Sequence, residues 1–277
     1  MVLLPLTDPE GGCASYIVGD ETSGEALVVD PLDSLGLDAY VLALAEAGLK
    51  ARLVVDSHVH ADHRSAAAAL ARVLSIPVGL HHAAPAAFPF QALHNGDRLA
   101  LGQLDALVLE TPGHTPDSIS LVVTDRARGP EPWAVLTGDA LFVGDVGRPD
   151  LAADDEAGAR AAARVLFGTL HDKFLTLPDT VEIYPAHFGG SSCGGLFLSR
   201  KASSTIGFER RHNHLLQIAP RDAFVERVLA LRKPPPADAA ALRRRNLGEA
   251  TTAAAAGDRP FAAPMALEAM LRGAVGS

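Results

Sequence analysis

Three histidines and an aspartate fall within six residues, His58-Val59-His60-Ala61-Asp62-His63, directly behind the apolar run Arg52-Leu53-Val54-Val55-Asp56. A short β-branched run of this kind reads as a buried strand. A tight turn is expected after it, and then an alanine-rich helix over about residues 63–75. The end of a buried strand is where open α/β sheets present functional groups. Extended backbone two residues apart is expected to point His58 and His60 toward one centre, with Asp62 and His63 opening the helix. Neutral imidazole and carboxylate are ligands for zinc and iron. An acidic first-turn residue explains Asp62 alone, and it leaves three histidines unexplained. The turn is read as a metal-binding loop.

Three further ligand-type residues repeat the device. Leu107-Val108-Leu109-Glu110 runs into Thr111-Pro112-Gly113-His114, Ala134-Val135-Leu136-Thr137 into Gly138-Asp139, and Val181-Glu182-Ile183-Tyr184 into Pro185-Ala186-His187. Each is a strand-like run that ends beside Gly or Pro, where small residues let backbone approach a bound ion closely. A lone histidine at a turn is usually a hydrogen-bonded surface group, so the weight lies in the repetition. His81, His82, His94, His171, His212 and His214 lack the strand-end setting and are given no metal role.

The rest of the first half alternates in the same way. Strands are expected at 14–18, 26–30, 52–56, 106–110, 119–124, 133–137 and 181–184, and helices at 37–48 and 154–170. That alternation implies an α/β fold with two layers of sheet and helices outside. From about residue 203 the chain turns helical, at 208–215 and 221–231. Lys233-Pro234-Pro235-Pro236 then breaks any helix. A catalytic domain over 1–232 and a linker with a helical, low-complexity tail over 233–277, loosest at 251–257, are the expected division.

Charge narrows the partners. Lys and Arg number 24 against 33 Asp and Glu, a formal net charge of −9. Proteins that hold nucleic acid by its phosphates show the opposite balance or a long basic stripe. Here the basic runs, Arg210-Arg211 and Arg243-Arg244-Arg245, are short and read as solvated helix faces. Two cysteines make no disulfide framework, the N-terminus lacks a basic signal-peptide region, and no apolar stretch is long enough for a membrane helix. A cytoplasmic protein without nucleic-acid or membrane partners is expected.

The set His58-x-His60-x-Asp62-His63, His114, Asp139 and His187 resembles the metallo-β-lactamase superfamily over roughly residues 10–215. The resemblance implies an αββα sandwich with the metal site at one edge of its two sheets. In dinuclear members it implies one metal on His58, His60 and His114, a second on Asp62, His63 and His187, and Asp139 bridging them.

Fold alone does not choose the chemistry, and the flanking sequence adds a narrower resemblance. The stretch from Thr137 to Leu151, with Gly144-Asp145-Val146-Gly147-Arg148-Pro149-Asp150 inside it, resembles the persulfide dioxygenases. So do Tyr184-Pro185-Ala186-His187 with Ser191-Ser192-Cys193-Gly194 and Ser203-Ser204-Thr205-Ile206-Gly207-Phe208-Glu209-Arg210-Arg211. Glyoxalase II shares the histidines and differs in these stretches. The branch implies one iron(II) per chain on His58, His114 and Asp139, the two-histidine, one-carboxylate triad of oxygen-using iron enzymes. His60, Asp62, His63 and His187 then orient those ligands and bound water. The implied reaction oxidises a glutathione-type persulfide with O₂ to sulfite and thiol.

Other residues carry expectations of different strength. Cys193, six residues past His187, is either a small buried residue or a thiol that handles sulfane sulfur; Cys13 is read as structural. Arg148 and Arg211 are candidate anchors for substrate carboxylates, although a structural ion pair with Asp145 or Asp150 is the favoured role of Arg148. The chain after residue 236 is too short for the rhodanese domain that fused relatives carry, so that step is expected to come from a separate protein or to be absent. The tail is open to covering the site, to making a homodimer, or to neither. The competing reading is a thioester hydrolase with two zinc(II) ions per chain, whose metal-activated water attacks the carbonyl; a nuclease, lactonase or non-catalytic metal-binding protein follows behind it.

Overall fold

Successive strand residues point to opposite faces, and in most strands of this chain both faces are apolar. The computed structural model describes residues 1–189, 191, 193–233 and 238–249. In chain order the elements are β1 Val2–Asp8, β2 Cys13–Asp20, β3 Glu25–Val29, α1 Leu37–Glu46, β4 Lys50–Val55, α2 Ala67–Leu74, β5 Val78–His81, β6 Gln91–Leu93 and β7 Arg98–Leu101. They continue with β8 Leu104–Glu110, β9 Ile119–Asp125, β10 Pro132–Gly138, α3 Glu156–Asp172, β11 Glu182–Pro185, β12 Ser204–Thr205, α4 Ile206–His212, α5 Arg221–Ala230 and α6 Ala239–Asn246.

The strands form two sheets of six, in the orders β1-β2-β3-β4-β5-β6 and β12-β11-β10-β9-β8-β7. Tyr16, Val18, Leu27, Val29, Leu53 and Val55 from the first sheet meet Leu121, Val123, Ala134 and Leu136 from the second in a shared core. The intervening residues turn outward: Ile17, Val28 and Val54 pack under α1 and α2, while Val122, Val135 and Ile183 pack with Leu166, Leu170 and Phe224 of α3 and α5. Helices cover both outer faces, and the expected αββα sandwich is what the chain forms.

Both sheets bring strand ends to one edge. Tyr16 ties them there, its buried hydroxyl donating to the Pro185 carbonyl at 2.7 Å. The tail joins the same edge. Leu247, just past α6, is buried in the outer core of the first sheet, and its carbonyl accepts from Ala87 N–H. The expected linker at 234–236 and the low-complexity stretch at 251–257 lie outside the described residues.

One local expectation is corrected. The helix after the histidine loop begins at Ala67, not near His63, so Asp62 and His63 stand on irregular chain ahead of it. The loop's amides and carbonyls are taken by side chains from elsewhere. Ser57 N–H donates to Asp30 at 2.6 Å and Val59 N–H to Asp117 at 2.9 Å. Asn246 of α6 donates to the His60 and His63 carbonyls, both at 2.9 Å, and accepts from Ser65 N–H at 3.1 Å. These bonds replace the helical turn that would otherwise satisfy the backbone.

Candidate metal centre

His58 leaves the end of β4, His114 follows β8, and Asp139 follows β10. All three are buried. Their donor atoms lie within 4.8 Å of one another, with His114 Nε2 3.4 Å and His58 Nε2 3.8 Å from Asp139 Oδ2. Gly138 makes the approach possible: its φ is +52°, and a side chain there would collide with Ser57. Only glycine adopts that conformation without strain.

The hydrogen bonds around the triad leave the converging atoms free. His114 Nδ1 faces the Arg148 carbonyl at 2.9 Å. A carbonyl only accepts, so the proton sits on Nδ1 and the Nε2 lone pair faces the centre. His187 Nδ1 donates to Asp139 Oδ1 at 2.7 Å, which fixes the carboxylate and leaves Oδ2 unpaired. His58 Nε2 and Asp139 Oδ2 are buried with no hydrogen-bond partner. Orphaned buried polar atoms are costly, and two that converge with a third lone pair fit a divalent metal ion.

The other motif residues are engaged among themselves. His60 Nε2 lies 3.2 Å from Asp30, with Asp56 at 4.0 Å. His60 groups with Asp30 and Asp56, its Nδ1 is unpaired, and its ring lies 4.2 Å from that of His58. His187 Nε2 donates to Asp62 Oδ2 at 2.7 Å, and His63 Nδ1 to the same oxygen at 3.0 Å. Burial opposes charge on His187, yet the Asp139 and Asp62 carboxylates at its two nitrogens hold it well above the usual histidine range. Burial likewise opposes ionisation of Asp139, and the surrounding His187, His114 and His58 hold its carboxyl below its usual value. His58 is lowered, opposite to His187, as burial and the neighbouring His60 keep it neutral, the form that binds metal.

Cys193 is buried within reach of Asp139 and His187, in the expected neighbourhood. Burial and the nearby Asp62 carboxylate push its thiol well up, so it stands as a neutral thiol. The two candidate substrate arginines each pair with a carboxylate of the chain. Arg148 is buried and bidentate to Asp150, at 3.1 and 2.7 Å, and its carbonyl faces His114. Arg211 pairs with Asp179 at 2.8 Å, and Asp179 precedes β11 whereas His187 follows it. The Arg148–Asp150 pair is the structural ion pair expected for that loop.

Cys13 and Asn246 were given no site role from sequence, yet both reach the loop. Burial raises the Cys13 thiol, but the neighbouring His187 and His63 bring it down to about 7. No periodic or motif signal marks either residue, since each comes from a distant part of the chain. Asp30 and Asp56 were legible in principle, as each ends a strand just as the ligands do. A cavity of about 360 Å³ adjoins His114, lined by Pro116, Pro149, Ala152, Ala153 and Val165. A larger one of about 640 Å³, between Arg98, Leu107, Thr124 and Lys173, contains none of the motif residues.

Residues 8–187 match the model of the metallo-beta-lactamase superfamily, and the chain belongs to that superfamily. It is 30% identical over 188 residues to "Persulfide dioxygenase ETHE1, mitochondrial" of Mus musculus, covering 68% of each chain. It is 32% identical over 176 residues to "Hydroxyacylglutathione hydrolase cytoplasmic" of Arabidopsis thaliana, covering 62% of each. The crystal structure of ETHE1 from Myxococcus xanthus superposes with a TM-score of 0.73 at 31% identity, over 89% of this chain and all of that one. No helix among the described residues is long and apolar enough to cross a membrane.

Proposed function

We propose that the chain is an iron(II)-dependent persulfide dioxygenase that converts a low-molecular-weight thiol persulfide, O₂ and water into the thiol and sulfite. One observation carries the mononuclear part. His58, His114 and Asp139 converge with unpaired atoms, whereas His60 is turned onto Asp30, and Asp62 accepts from both His63 and His187. The likeness to proteins named persulfide dioxygenase supports the substrate class.

Iron(II) held by two imidazoles and one carboxylate supplies redox chemistry toward O₂ with coordination positions left open. The chain's own groups set the conditions. The Arg148 carbonyl fixes the His114 tautomer, and His187 fixes Asp139 while holding protons between two carboxylates. Pro116, Pro149 and Val165 offer apolar walls beside His114, suited to the uncharged part of a thiol carrier. Cys193 lies beside the triad and not in it, so Cys193→Ser keeps its iron.

Protein purified without added metal should carry about one iron per chain and consume O₂ when given glutathione persulfide, with sulfite formed. The competing hydrolase has one observation in its favour: Asp62 Oδ1 and His63 Nε2 are also buried and unpaired. Two zinc ions per chain, with fast cleavage of a lactoylglutathione-type thioester and no persulfide-dependent O₂ uptake, would establish that reading instead.

A further inference from the structure

Two stretches singled out in the sequence, 137–151 and 203–211, meet at the loop that carries Asp139. After Asp139 the chain folds into a tight hairpin over 139–148. Leu141 pairs with Val146 in it, Phe142 N–H donates to the Asp145 carbonyl at 3.1 Å, and Gly147 N–H donates to the Ala140 carbonyl at 3.3 Å. The return limb is wedged against two ligands of the triad. A Cβ at Gly147 would collide with the Asp139 carbonyl oxygen and lie 3.1 Å from the His114 Cβ. The next carbonyl, that of Arg148, faces His114 Nδ1 at 2.9 Å. Two fully buried side chains hold the hairpin tip, Glu209 of α4 and Asn213 just behind it. Glu209 Oε2 accepts from Gly144 N–H at 2.8 Å, and the Asn213 amide donates to the Asp145 carbonyl and to Glu209 Oε2, both at 3.0 Å. The segment at 197–199 adds Phe197 N–H on the Asp145 carboxylate at 2.9 Å and Ser199 N–H on the Val143 carbonyl at 3.0 Å. The Thr205 hydroxyl seats α4 by accepting from Phe208 N–H at 3.1 Å, and β12 ties its start to β11.

We propose that Glu209 and Asn213 are positioning residues for His114: by fixing the hairpin tip they place the Arg148 carbonyl, which keeps the His114 proton on Nδ1 and turns Nε2 toward the metal. Burying a carboxyl group is costly unless its oxygens are bonded. Glu209 leaves Oε1 unpaired and gives Oε2 to the tip and to Asn213. A residue that only packed α4 would need no carboxyl there. The hairpin is short and its limbs are bonded to each other, so a shift at Gly144–Asp145 passes to Gly147–Arg148. There, contact with Asp139 and His114 leaves no room to absorb it. Groups that orient a ligand from behind change metal affinity about 10- to 100-fold when they are lost. The inference rests on the reading that His114 Nε2 is a metal ligand, and it applies equally to iron or zinc, dioxygenase or hydrolase.

The full chain, labelled with ¹⁵N-histidine and stripped of metal, reports the tautomer directly, because long-range ¹H–¹⁵N spectra separate Nδ1–H from Nε2–H. His114→Gln assigns the signal. The unsubstituted chain should show His114 as a single Nδ1–H tautomer; this spectrum depends on no variant, and a mixed signal in it overturns the proposal by itself. Glu209→Met keeps the volume and removes the acceptor, and Asn213→Leu removes the donors. Each should give a mixed or Nε2–H signal and bind iron(II) ~10-fold or more weakly against a competing chelator. Glu209→Gln retains an oxygen for Gly144 and Asn213 and should restore both readouts. If urea midpoints fall in either variant while tautomer and iron affinity stay put, the pair supports the fold alone and the proposal is overturned. Glu209→Gln as impaired as Glu209→Met overturns it too. Two zinc ions per chain and thioester cleavage, alongside the expected tautomer changes, would remove the dioxygenase reading and support the positioning role.

Discussion

His114 offers a free ring nitrogen to the triad centre, whereas both nitrogens of His187 are spent on carboxylates. That asymmetry separates two histidines that stand at similar strand ends. His114→Ala should leave the iron with two ligands and yield metal-free protein after desalting. His187→Ala removes only the group that aims Asp139, so affinity should fall about 10- to 100-fold and the purified protein should remain largely loaded. Equal loss of iron in the two variants would sink the mononuclear assignment. The His63–Asp62 pair gives a second prediction, for the metal-free chain. Burial opposes the charge on His63, but the Asp62 carboxylate raises it to about 10. A histidine raised in the folded state contributes stability that is fully present below its unfolded value near 6.5 and is lost as pH rises through about 10. Thermal melts of the metal-free protein should therefore show a decline between pH 7 and 10 that Asp62→Asn flattens. An unchanged slope in that variant would assign the decline to other groups.

At the scale of elements, α6 has a consequence for the site that its composition hides. Arg243-Arg244-Arg245 reads as a solvated face, yet Asn246 at its end makes three hydrogen bonds to the histidine loop. Asn246→Asp keeps the shape, keeps the acceptor for Ser65, and loses both donors to the His60 and His63 carbonyls. The expected cost is about 1–3 kcal/mol in urea unfolding, with faster iron loss to a competing chelator. If stability falls and iron loss does not change, the helix supports the fold without positioning the loop. Elements with strong periodicity were legible: β2, β3, β4, β8, β9, β10 and α3 lie within a few residues of their expected places. β1 was missed because its residues are half-buried along an edge and Pro5 interrupts them. β6 and β7 are too short to show a period. The loop at Asp62–His63 was mistaken for a helix start because its backbone partners, Asp30, Asp117 and Asn246, come from far along the chain.

Across the whole molecule, the triad draws its residues from both sheets. His58 leaves β4 of the first sheet, while His114 and Asp139 leave β8 and β10 of the second. The two-layer architecture was legible because strand residues alternate between two apolar faces; the meeting of the two sheets' strand ends at one edge came only from the superfamily resemblance. Without metal, that edge is held by the Tyr16 hydroxyl on Pro185 and by backbone bonds between β2 and the segment at 186–188, with unpaired His58 Nε2 and Asp139 Oδ2 buried between the layers. An ion that binds the folded state alone stabilises it by mass action, by about 4 kcal/mol when free iron is 1,000 times Kd. For a domain of this size each kcal/mol moves Tm by roughly 2–4 °C, so iron loading should raise Tm by on the order of 10 °C. Anaerobic calorimetry of the loaded and chelator-stripped protein measures this directly. His114→Ala should melt near the stripped protein and gain nothing from added iron(II). If stripping leaves Tm unmoved, the ion does not bridge the sheets, and the triad is not where it binds.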